Sequence, residues 1–169
     1  MGVYKSFIMS NFRYFNDVWH FCSRKSAYKL EKINKRALRV VENNYSASYF
    51  ELFEPANCSA LYIDRIRSIA VETFKYVNEI NPQFFESTFL LLDHPHDTRG
   101  GQNFKVPKVC TERHDINSLG YESVKKKWNS LPSDIKLSAS IDDFKFSIKH
   151  WEGPSCKCGY CLLCSINRL

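Results

Sequence analysis

Large apolar side chains recur every three or four residues through much of positions 4 to 80, and that period confines the chain to amphipathic helices sharing a buried side. Tyr4, Phe7, Ile8, Phe12, Phe15 and Trp19 predict a first helix over residues 4 to 19 with a buried aromatic face. Residues 26 to 42 carry the best-defined pattern, with Leu30, Ile33, Ala37, Val40 and Val41 on one face. Asn43-Asn44 ends it, and a short helix is expected from Ser46 or Ser48 through Phe53, before Pro55. Residues 60 to 80 read as another long helix, with Ile66, Ile69, Ala70, Phe74, Val77 and Ile80 inward and Arg65, Arg67 and Lys75 outside. Asn81-Pro82 stops it, and Phe84, Phe85 and Phe89 to Leu92 add a short apolar segment.

From Asp93 to about Leu119 the period is lost among Pro, Gly, His, Asp and Asn, the pattern of a linker or loop. Asn103 to Val109 alternates enough to predict a short strand, which Pro107 confines to a sheet edge, with Ile116 to Leu119 as a hairpin partner. His94, His96 and His114 share this loop at spacings that suit no metal pattern, so they read as surface histidines. Helical period returns over residues 121 to 130, with Val124 and Trp128 inward, and again after Ser140 with Phe144, Ile148 and Trp151. Asp142-Asp143 is a pair of carboxylates, but Ser140-x-x-Asp143 fits a capping box, with both acids near the positive end of a helix.

The fold expected is therefore mainly α: a helical bundle over 1–92, a loop with a short β hairpin over 93–119, two C-terminal helices over 120–152, and a Cys-rich tail over 153–169. At 44% hydrophobic and 15% aromatic, the chain has enough apolar material for a core and is not a disordered tail. No run of apolar residues approaches the length of a membrane span, so no membrane partner is expected. The N-terminus lacks a secretory pattern, and four of the seven cysteines crowd into the last residues. An intracellular location, nuclear or cytoplasmic, with reduced thiols follows as the expectation.

The formal charge of +6 favours an anionic partner, most simply nucleic acid. Lys25, Lys29, Lys32, Arg36 and Arg39 follow the i, i+4, i+7, i+11, i+14 spacing of one helix face. Two readings stay open: an ordinary solvated surface, or a rail of cations tracking a phosphate backbone. A solvated face usually mixes signs to gain i,i+4 pairs, and only Glu31 and Glu42 dilute the charge here. Lys125, Lys126 and Lys127 beside Trp128 offer the same pair of alternatives: a core indole with solvated lysines, or phosphate contacts flanking a stacking platform. No Ser-His-Asp, Cys-His or phosphate-loop arrangement supports an enzyme of another kind.

Four segments occur in an order that is more specific than any one of them. They are Tyr4-Lys5-Ser6-Phe7-Ile8 running to Trp19, Leu30-Glu31-Lys32-Ile33-Asn34-Lys35-Arg36-Ala37-Leu38-Arg39, Phe104-Lys105-Val106-Pro107, and Trp128-Asn129-Ser130-Leu131-Pro132 with Ser140-Ile141-Asp142-Asp143-Phe144-Lys145. Together they resemble the C-terminal part of the reverse transcriptases of LINE-type, jockey-like non-LTR retrotransposons, over most of residues 4 to 151. The resemblance implies a thumb and tail, downstream of the palm where that family keeps its catalytic carboxylates and magnesium. It implies a template–primer duplex, RNA–DNA or DNA, as ligand, and the enzyme's own palm and fingers as neighbours. No catalytic residue is expected in this stretch. The alternative is a free-standing nucleic-acid-binding or interaction module, or an inactive relic, derived from such an element.

Cys156-x-Cys158-x-x-Cys161-x-x-Cys164 follows Gly153-Pro154. Four such thiolates can wrap one tetrahedral zinc, with His150 as a substitute ligand, although Cys-x-Cys is an unusual spacing for a mononuclear site. A redox-sensitive tail without metal is the other reading. The resembled family often carries a cysteine-rich element at this place, with a different ligand spacing.

Overall fold

Ser23 opens the longest helix: its hydroxyl accepts from the Ser26 amide at 3.2 Å, satisfying one of the donors that a helix start leaves unpaired. The computed structural model describes residues 2–14, 20, 22–80, 103–105 and 127–151, and these are mainly helical. Among them a π-helical segment, Tyr4–Met9, leads into α1 (Ser10–Arg13), followed by α2 (Arg24–Val41), α3 (Phe53–Ala56), α4 (Leu61–Val77), α5 (Ser133–Lys136) and α6 (Ile141–Lys149). The described residues up to Ile66 form one unit, and those from Arg67 onward form a second. The boundaries expected at 92/93, 119/120 and 152/153 lie outside the described residues.

In the first unit the core gathers Tyr4, Met9, Leu38, Tyr49, Leu52, Ala56 and Leu61. The first helix departs from expectation: it stops at Arg13, where Tyr14 turns extended, and its register differs. The i→i+5 bonding of a π segment puts Tyr4 and Met9 on the buried side and leaves Phe7 exposed. Phe15 and Trp19 lie outside the described residues.

The inner face of α2 is also different. Leu30, Ala37 and Val41 pack partly buried against the core as expected, but Ala27, Glu31, Asn34 and Leu38 are the buried positions, and Ile33 and Val40 are more than half exposed. The reason is a polar network that an apolar count cannot see. Tyr4 Oη donates to Asn34 Oδ1 at 2.6 Å, Asn34 Nδ2 donates to Tyr49 Oη at 2.8 Å, and Tyr49 Oη donates to Glu31 Oε2 at 2.6 Å. The Glu31 carboxylate also accepts from the Leu61 amide at 3.2 Å and the Tyr62 amide at 2.7 Å. An anion from α2 thus caps the positive end of α4. Arg65, expected outside, is buried near this carboxylate, and its positive charge offsets part of the Glu31 burial. Burial still prevails and raises the Glu31 pKa.

The Ser48 start signal operates in another form. Ser48 N–H donates to Glu51 Oε2 at 2.7 Å and Glu51 N–H to Ser48 Oγ at 3.4 Å, a reciprocal box closing a turn ahead of α3. The helix itself begins at Phe53 and includes Pro55 in its first turn, where a missing amide costs nothing.

In the second unit the core is aromatic. Phe74 of α4 stacks on Phe144 of α6 with ring centres 4.3 Å apart, and Trp128 lies 6.2 Å from Phe144 and 5.8 Å from Phe104. Phe104, Trp128 and Phe144 are fully buried. Asn129 holds this arrangement by its side chain, accepting from Phe104 N–H and donating to Phe104 C=O, both at 3.1 Å. One amide side chain thereby imitates a strand neighbour for Phe104. The rest of the expected strand, with Pro107, lies outside the described residues. Arg67, half-buried and not outward, donates to the Trp151 carbonyl at 2.9 and 2.7 Å. The capping box at Ser140 is present: Asp143 N–H donates to Ser140 Oγ at 3.1 Å, and Ser140 Oγ donates to Asp143 Oδ2 at 2.7 Å. Asp142-Asp143 is thus a helix start.

Candidate nucleic-acid interface

Helix α2 rises about 1.5 Å per residue, so Lys25 to Arg39 spans roughly 21 Å along one line. Lys25, Lys29, Lys32 and Arg36 are exposed, and Arg39 is half-buried. Among the described residues Lys25, Lys29 and Arg36 make no ion pair. Lys32 Nζ sits 4.9 Å from the centre of the Tyr28 ring, a cation–π contact that steadies the side chain without neutralising it. Glu31, which seemed to dilute the rail, is on the buried side.

Arg39 has a second role. Its Nε and Nη2 donate to the Ala47 carbonyl at 3.1 and 2.7 Å. The helix end beside it is a Schellman cap: Asn44 N–H reaches Arg39 O at 3.0 Å, Asn43 N–H reaches Val40 O at 3.3 Å, and Asn43 takes φ 50. Asn44 Oδ1 then accepts from Ala47 N–H and Ser46 Oγ, both at 3.1 Å. These bonds fix the turn on both sides of Tyr45, which is 64% exposed.

The outcome is an open trough of about 770 Å³ lined by Lys29, Lys32, Ile33, Lys35, Arg36, Arg39, Val40 and Tyr45. Four of the five expected cations, Lys29, Lys32, Arg36 and Arg39, line it, while Lys25 lies outside it toward the helix start. Lys35, which the spacing argument passed over, adds a flanking charge. Partial burial, then the neighbouring Arg39, lowers its pKa, whereas Glu51 nearby raises it. Ile33 and Val40, expected in the core, form part of the lining. The signal that could have placed them is their own spacing: seven residues apart, they share a line that also borders the cations.

The second lysine cluster behaves differently. Lys127 is 1% exposed beside Trp128, so it is a core residue and not a phosphate contact, and Trp128 is no stacking platform. Lys125 and Lys126 lie outside the described residues. So do Cys156, Cys158, Cys161 and Cys164, and likewise His94, His96 and His114. His150 caps the end of α6, exposed, with its ring edge-on to Phe146. Among the described residues no group of three or more His, Cys, Asp or Glu could hold a metal ion. No helix among them is long and apolar enough to cross a membrane. Compared with protein-family models, curated proteins and solved structures, the chain matches none of them.

Proposed function

We propose that α2 is the nucleic-acid-contacting face of this chain, a row of cations that neutralises consecutive phosphates. One observation carries it: an exposed line from Lys25 to Arg36, continued by half-buried Arg39, on a helix whose one acid, Glu31, faces the core. Such a line, free of intervening acid, gains most from counterion release on a polyanion. By the order of its four segments, we place it as the helical thumb and tail of a non-LTR retrotransposon reverse transcriptase. There it would hold the template–primer duplex while the carboxylates and magnesium of the palm act elsewhere in the enzyme. The pairing of Phe104 with Asn129 supports reading the third and fourth segments as one working part. For the tail, the soft donor set Cys156, Cys158, Cys161 and Cys164 suits zinc, and serine at Cys161 and Cys164 should abolish about one bound zinc per chain in elemental analysis.

The rail is tested by replacing Lys25, Lys29, Lys32 and Arg36 with glutamate. Wild-type affinity for an RNA–DNA hybrid should fall steeply and linearly on a logarithmic scale with salt, in proportion to the number of phosphate contacts. The variant should bind weakly and show little of that slope. Unchanged affinity and unchanged slope would refute the proposal.

A further inference from the structure

Three large apolar side chains stand together among the cations of α2. Ile33 is 55% exposed, Val40 57% and Tyr45 64%. Isolated apolar residues are ordinary on a surface, but here all three line one trough with Lys29, Lys32 and Arg36. A duplex turns its charged backbone outward and keeps its bases stacked on one another, so it would engage the cations and leave the apolar members facing phosphate and sugar. An unpaired strand differs in that its bases have free π faces, which stack on aromatic rings while the backbone follows the positive charge.

The turn that carries Tyr45 is built for such a role. Asn43 in the left-handed region, the Asn44 side chain and the two Arg39 bonds to Ala47 hold the backbone on both sides of the ring. A ring offered on a pre-ordered turn loses little further entropy when it binds. Lys and Arg bring only donors, and the aromatic and aliphatic members bring only surface and one hydroxyl. The chemistry of the trough is therefore phosphate plus an unstacked base.

We propose that this trough holds an unpaired stretch of nucleic acid adjoining a duplex, with a base lying on Tyr45 against Ile33 and Val40. The proposal rests on the reading of α2 as a nucleic-acid face and adds the single-stranded character of its ligand. Arg39 is then a positioning residue for the Tyr45 turn as well as a cation of the trough.

The test compares a blunt RNA–DNA hybrid with the same hybrid bearing a short unpaired overhang, by fluorescence anisotropy at several salt concentrations. The overhang should bind wild-type protein roughly tenfold more tightly, the order expected for one base on one ring. Tyr45→Ala should remove that advantage while leaving the salt slope unchanged, because stacking releases no counterions. Tyr45→Phe keeps the ring and should keep the advantage, which separates stacking from a general loss of the turn. Equal binding of the two hybrids, or an overhang advantage that survives Tyr45→Ala, overturns the proposal and leaves the rail standing. Failure to bind either hybrid overturns the rail along with it. Binding of an acidic peptide with apolar anchors, without any overhang advantage, would assign the trough to a protein partner and overturn the proposal as well.

Discussion

The two units of this chain are built on opposite kinds of core. The first is organised around polar groups: Tyr4, Asn34, Tyr49 and Glu31 form one hydrogen-bonded line that ends on the first amides of α4. The second is organised around rings, with Phe74, Phe144, Trp128 and Phe104 linked in that order. An aromatic core degrades by degrees, because losing atoms removes contacts and leaves a void. A hydrogen-bonded line does not degrade by degrees. Deleting one member strands its buried partners, and each stranded group carries its full desolvation penalty.

The comparison can be broken by paired substitutions. Trp128→Ala should have the largest effect, a loss of about 3–5 kcal/mol from a fully buried indole. Native-state hydrogen exchange should show it first in the amides of α6. Glu31→Ala removes far less volume and should still cost about 2–4 kcal/mol, since it leaves the Tyr49 hydroxyl and two helix amides without an acceptor. Here exchange should rise first at Leu61 and Tyr62. If Glu31→Ala were nearly neutral, the polar line would be ornament, and the contrast between the cores would fall.

The smallest effect sharpens the contrast by pH. Burial raises the Glu31 pKa above its usual 4.5, so the folded state holds this proton to higher pH than the unfolded state does. The stability that this contributes is complete below the ordinary carboxylate pKa and is lost as pH rises through the folded value. Urea melts of wild type and Glu31→Gln across that range should differ by this slope, with the glutamine variant flatter. An identical slope in the two proteins would show that Glu31 does not titrate differently on folding.

The same contrast decides what could be read from the residues alone. Trp128, Phe144 and Ile148 were legible as core because apolar period and burial agree there. The face of α2 was read only in part: Leu30, Ala37 and Val41 do pack on the core, but the period of its innermost line, Ala27, Glu31, Asn34 and Leu38, is interrupted by two polar residues whose partners, Tyr4 and Tyr49, lie far along the chain. Ile33 and Val40 then seemed the natural core choice and are instead trough lining. The cationic line needed only helix geometry and was legible from its spacing. Lys127 was not, since a lysine triplet reads as solvated, and only packing beside Trp128 shows this one buried. Tyr45 carried no periodic signal, because a cap and a turn place it and no helix face does.

The Asn129 clamp bears on how two distant stretches of this chain stay together. Its two bonds join positions 25 residues apart and meet both backbone groups of Phe104. One side chain therefore fixes the backbone of Phe104 against the turn at Asn129. Replacing Asn129 by alanine would remove both bonds to Phe104 at once, whereas aspartate would keep the acceptor for its N–H and lose the donor to its C=O.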